Sequence, residues 1–203
     1  MKKFFVLLLL LALPVIGVWA QELKAKRYNW PVTLTVFSEA WAIPSAQLIK
    51  IPIHPGISMG SGYTFRKTPQ SSLSLNGTLG YFYHKNIQHN VHVIASLVYQ
   101  HKIIAGLQAG VGLGVGYSHS IYPTPVYKLK GGEYQRTTDW GKSTALPSLD
   151  FNLGYTFNRL KEKPFIIFAK YQFMAEWPYA PENTFPVLPH TLFHVGFTCY
   201  PFK

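Results

Sequence analysis

Three groups of residues in this chain have the types and spacing to do chemistry. Ser118-His119-Ser120 puts an imidazole beside two hydroxyls, the pairing that makes a serine nucleophilic when the base can take its proton. His84, His89 and His92 fall around one tight hairpin, where three imidazoles could meet a zinc or copper ion. Glu39, Arg66, Asp150, Lys170 and Glu176 are charges set among apolar neighbours. Whether any of these groups meet depends on the elements that carry them.

Those elements are strands. The dominant hydrophobic period is two, and after residue 21 no apolar run approaches the length of a membrane helix. Between Pro147 and Asn158 the odd positions Leu149, Phe151, Leu153, Tyr155 and Phe157 are apolar. The even positions Ser148, Asp150, Asn152, Gly154 and Thr156 are small or polar. On a strand these two sets occupy opposite faces. Ala145 and Leu146 would put the larger apolar residue on the polar face, so both are assigned to the preceding loop. Leu107–Ile121 alternates in the same way, Phe165–Trp177 does so less cleanly, with Ile166, Phe168 and Met174 on its polar face, and weaker versions run over Val32–Ala42, Ile51–Arg66, Ser72–Lys85, Asn90–His101 and His190–Phe202. Eight strands are therefore predicted.

The connections alternate too. The even-numbered ones are short, at Lys67–Ser71, His101–Ile103 and Arg159–Pro164, whereas the odd-numbered Tyr122–Leu146 and Pro178–Pro189 are long and rich in Pro, Gly and polar residues. Short turns at one end and longer loops at the other are the layout of a closed, antiparallel, up-and-down membrane β-barrel. A soluble eight-stranded barrel would alternate likewise with its faces exchanged. The polar face here is rich in Gly, Ser, Asn and Thr and poor in Lys and Glu, which does not suit a solvated exterior. The apolar face ends in aromatics such as Trp177, Tyr155, Phe157 and Phe165, as a membrane girdle does.

Composition agrees. Charged residues are 13% of the 203 and aromatics 16%, which excludes intrinsic disorder and an ordinary soluble surface. Lys2 and Lys3, the apolar run Phe4–Leu13 and Val18-Trp19-Ala20 read as a cleaved signal peptide over 1–20, leaving one domain over 21–203 that begins at Gln21. Its removal takes two lysines and lowers the formal charge from +11 to +9. The basic residues are spread thinly and the chain is exported, so nucleic acid is not an expected partner; outer-membrane lipid and lipopolysaccharide are. The single Cys199 excludes an internal disulfide.

Signal peptide, eight alternating strands, unequal loops and the near-terminal Phe202 together resemble the small outer-membrane β-barrels of Gram-negative bacteria, of the OmpA transmembrane type, over residues 31–202. The resemblance implies location in the outer membrane, insertion by the barrel-assembly machinery and a monomer. The chain departs from the family pattern in that Lys203 follows the aromatic and Pro201 interrupts the last ladder.

Placed on these strands, Glu39, Arg66, Asp150, Lys170 and Glu176 fall in the lumen and are expected to form a polar plug. The four glycines at 110, 112, 114 and 116 are expected to accommodate curvature or a bulky neighbour. Alternation separates the hairpin histidines, so neither a metal nor another cofactor is expected. Ser118-His119-Ser120 is similar to the His–Ser pair of outer-membrane lipid A deacylases, whose motif spaces His and Ser by one residue and follows Ser with Asn. Here the residues are adjacent and Ile121 stands where Asn would, so Ser118 and Ser120 point into the lumen and His119 away from it. The sequence thus favours a structural or surface-interaction barrel with outward loops 122–146 and 178–189, with an enzyme modifying lipid A as the alternative.

Overall fold

The computed structural model describes residues 30–40, 53–85, 87–123, 125–137, 140–157, 164–179 and 186–201. The proposed signal peptide, Gln21, Phe202, Lys203, loop 43–50, the turn over 159–163 and residues 180–185 of loop 178–189 lie outside them.

Eleven strands are formed: β1 (Val32–Ala40), β2 (His54–Lys67), β3 (Ser71–His84), β4 (Gln88–Ile104), β5 (Leu107–Ile121), β6 (Val126–Lys130), β7 (Glu133–Thr137), β8 (Lys142–Ala145), β9 (Ser148–Phe157), β10 (Phe165–Glu176) and β11 (Leu188–Cys199). Each long strand pairs antiparallel with its neighbours, and pairing of β1 with β11 and of β4 with β5 closes the sheet. The result is a closed eight-stranded barrel, up and down, with no helix among the described residues. Val32 of β1 lies opposite Cys199 of β11, so the start of β1 and the end of β11 share one rim (the terminal rim), and the ends of β1, β3, β5 and β10 that lead into the odd-numbered connections lie at the other (the loop rim).

The alternation sets the faces. Val36, Leu79, Val93, Leu113, Val115, Phe151, Leu153 and Tyr155 are exposed outside, while Thr35, Ser58, Ser96, Asp150 and Gln172 are buried inside. On β5 the outward run from Leu107 to Tyr117 covers ten residue steps, about 33 Å along the strand. Tilted by ~40°, that is a belt of ~25 Å, the height of an outer-membrane apolar band. Tyr81, Tyr117 and Trp177 stand exposed toward the loop rim, and Tyr99, Tyr155 and Phe157 toward the terminal rim.

Three local readings are corrected. Residues 122–146 are not one loop: β6 and β7 form a separate hairpin, and β8 pairs with β5 from Tyr117 to Ser120. β8 continues the wall of β9 after a break at Leu146-Pro147, where proline has no N–H to donate to the ladder. Leu146 donates its N–H to the carbonyl of Gly116 at 2.9 Å and turns fully inside. The tight turn after β4 falls at Ala105-Gly106 rather than at 101–103; both residues have positive φ, 48° and 98°, as a two-residue hairpin turn of type I′ requires.

The interior is layered. Phe37, Phe82, Ile94, Leu146, Met174 and Leu192 form a buried apolar cluster across the lumen. Gly56 makes this possible on β2, since a Cβ there would strike the Phe37 ring. Gly112 faces the Asp150 carboxylate and Gly114 the hydroxyls of Ser148 and Ser96, so these strand glycines accommodate cross-lumen neighbours. Toward the terminal rim lies a polar cavity of about 140 Å³, lined by Thr35, Ser58, Asn76, Gln100, Asp150 and Lys170 among others. Toward the loop rim lies a second polar layer.

Candidate functional site

The layer at the loop rim is built from residues one pleat beyond the apolar cluster. Glu39 follows Phe37 by two positions on β1, His84 follows Phe82 on β3, Glu176 follows Met174 on β10, and His190 precedes Leu192 on β11. The period of two therefore sends all four inward at one level. Glu39 is fully buried, and Glu176 and His190 are each 1% exposed.

His190 joins the two carboxylates. Its Nδ1 is 2.8 Å from Glu39 Oε1 and its Nε2 is 3.2 Å from Glu176 Oε1. Its ring thus stands between the two acids, hydrogen-bonded to Glu39 and within ion-pair distance of Glu176. Glu176 Oε1 also accepts from Asn90 Nδ2 at 3.0 Å, Gln88 Nε2 at 3.3 Å and Ser120 Oγ at 3.4 Å. Asn90 Nδ2 donates to Ser118 Oγ at 2.6 Å, and its Oδ1 lies 3.0 Å from His92 Nδ1. On the other side, Glu39 Oε2 lies 2.8 Å from His84 Nδ1 and 3.6 Å from His54 Nδ1. The rings of His54 and His84 stack with centroids 3.5 Å apart.

The five predicted lumenal charges do not form one network. Glu39 and Glu176 are linked through His190, whereas Asp150 and Lys170 line the cavity beyond the apolar cluster. Arg66 is exposed near the end of β2. A register shift between Thr64 and Arg66 inserts one residue, so Arg66 pairs with the outward-phase Leu73 and turns away from the lumen.

The histidines sort by face. His84 and His92 point inward, while His89 packs outside against Tyr81 and Tyr83. The structure brings His84 together with His54 and Glu39, whose ligand atoms all lie within 4.8 Å of one another. Nothing in the spacing of His54, 30 residues before His84, marks this pair. The available signal was positional: Glu39, His54, His84, Gln88, Glu176 and His190 are all inward-phase residues at strand ends that adjoin odd-numbered loops.

Ser118 and Ser120 are fully buried, and both hydroxyls serve Asn90. His119 lies outside and meets a different serine. Its Nδ1 is 3.2 Å from Ser143 Oγ, directly across the β5–β8 pair. Its Nε2 is 2.9 Å from the carbonyl oxygen of Trp140. That oxygen only accepts, so in the neutral ring Nε2 carries the proton and Nδ1 is the base toward Ser143. Tyr117 Oη lies 2.6 Å from the same Ser143 Oγ.

No protein-family model and no curated protein matches the chain. Neisserial surface protein A superposes with a TM-score of 0.52 at 10% identity, covering 85% of this chain and 97% of that one. The chain has the fold of a small outer-membrane barrel. The outer membrane enzyme PagL (TM-score 0.45, 9% identity, 83% of this chain and 97% of that one) and the N-terminal β-barrel domain of Pseudomonas aeruginosa OprF (0.41, 17%, 83% and 96%) also align. At these scores and identities the likeness extends to the fold alone.

Proposed function

We propose that the protein is an outer-membrane barrel whose lumen is closed and cross-linked and whose loop rim is a surface for interaction with lipopolysaccharide. The observation that supports this most is the inversion of its faces. Large apolar side chains such as Val115, 71% exposed, ring the outside, while carboxylates and imidazoles are buried within. Only an apolar surrounding makes that arrangement favourable, and a closed barrel leaves no unpaired strand edge in it. The basic formal charge suits anionic headgroups and phosphates. In fractionated Gram-negative cells, the chain is expected with the outer membrane and to begin at Gln21. Recovery in the soluble periplasm, or with Met1 retained, would count against the reading.

One observation favours a second reading, an esterase acting on envelope lipid. His119 and Ser143 form a base–hydroxyl pair on the outside of the wall, and the Trp140 carbonyl fixes the ring. In such a reaction Ser143 Oγ adds to an ester carbonyl as its proton passes to His119 Nδ1. The proton then leaves with the alcohol, and water releases the acyl group. Separate His119→Ala and Ser143→Ala variants, each compared with the parent by mass analysis of lipid A, test it. This reading expects a deacylated species with the parent that vanishes in both folded variants. Identical lipid A in all three leaves the interaction barrel.

A further inference from the structure

We propose that Glu39, His54 and His84 form a binding site for one divalent first-row transition-metal ion, set in the lumen at the loop rim. The three residues arrive from three adjacent strands, β1, β2 and β3. Their ligand atoms lie within 4.8 Å of one another, so modest rotation brings two imidazoles and one carboxylate around a common centre. That donor set suits zinc, copper or nickel rather than magnesium or calcium.

The electrostatics of the layer favour a cation there. Among the described residues, the ion-pair contacts to Glu39 and Glu176 come from histidines. Glu39 and Glu176 set two acidic groups in one buried layer, and buried acids favour a cation beside them. His54 and His84 stack with centroids 3.5 Å apart, which holds the two rings side by side next to the Glu39 carboxylate. A bound divalent ion would supply positive charge beside Glu39 and take neutral imidazole nitrogens as ligands.

Support behind the site is already in place. The second oxygen of Glu39 is held by His190 at 2.8 Å, and His190 in turn meets Glu176. Such outer partners orient metal ligands and tune their basicity. His54 and His84 retain 11% and 9% side-chain exposure, whereas Glu39 and His190 have none. The two imidazoles are thus the more accessible ligands, while Glu39 is wholly buried behind them.

The test uses the full mature barrel refolded in detergent and zinc chloride as the probe, with calorimetric titration near neutral pH. The parent is expected to bind one equivalent, and His54→Gln and His84→Gln are each expected to weaken binding at least tenfold. His101→Ala, which changes an exposed histidine outside the cluster, is expected to bind as the parent does. X-ray absorption at the zinc edge of the loaded parent depends on no variant and is expected to show two imidazole shells and one carboxylate. Absence of stoichiometric binding, parental affinity in either glutamine variant, or an absorption spectrum without imidazole overturns the site.

Discussion

Replacing His190 with alanine is expected to cost the barrel about 3–5 kcal/mol, the range for breaking a buried ion pair from one side. His190 meets Glu39 at 2.8 Å and Glu176 at 3.2 Å, and all three side chains are almost wholly removed from solvent. Its loss leaves two carboxylates facing a void with the imidazole between them gone. Glu176 keeps the amides of Asn90 and Gln88, and Glu39 keeps His84, but none of these contacts occupies the position between the two acids.

The charge origin of that cost is separable from the cavity. Glu176→Gln removes one of the two carboxylates that His190 bridges, so His190→Ala made in that background is expected to cost markedly less than in the parent. The readout is reversible urea unfolding of the four proteins of the cycle, with the coupling energy taken as the departure from additivity. A loss below about 1 kcal/mol for His190→Ala, or strictly additive losses, would show that burial rather than ion pairing dominates this layer.

The network also shows where reading the sequence stops. Strand phase was legible because a period of two survives along each strand, so Asp150 and Glu176 could be turned inward from their neighbours alone. Local interruptions of that period were not. The residue inserted after Thr64 turns Arg66 outward, and the break at Pro147 sends Leu146 into the apolar cluster. Convergence was least legible. Glu39 and His190 are separated by 151 positions and meet only because β1 and β11 close the barrel. His119 meets Ser143 because β8 adds to β5, a strand that lies within what alternation alone assigns to a loop.

The outward face can be tested by charge and by depth together. Leu113 sits midway along the apolar run of β5, 64% exposed, with Leu97 and Leu149 beside it on the neighbouring strands. Leu113→Arg is therefore expected to cost about 2–4 kcal/mol, the value for a cation on the lipid face near the bilayer midplane. Leu153 also faces outward but pairs with Ala109, four positions nearer the terminal rim. There the arginine side chain can reach the interface, so Leu153→Arg is expected to cost less. Asn152, next in sequence, points into the polar cavity that Asp150 also lines. Asn152→Arg gives the guanidinium water and a carboxylate, and is expected to cost least of the three. Unfolding measured in lipid bilayers should rank the losses Leu113, Leu153, Asn152. Equal losses at 152 and 153 would contradict the assignment of faces, and equal losses at 113 and 153 would contradict a belt centred on Leu113. The same variants in a detergent micelle, which adapts its shape to the protein, are expected to keep the order of 153 over 152 and to compress the difference between 113 and 153. Facing is fixed by the strand, whereas depth exists only relative to a bilayer of set thickness.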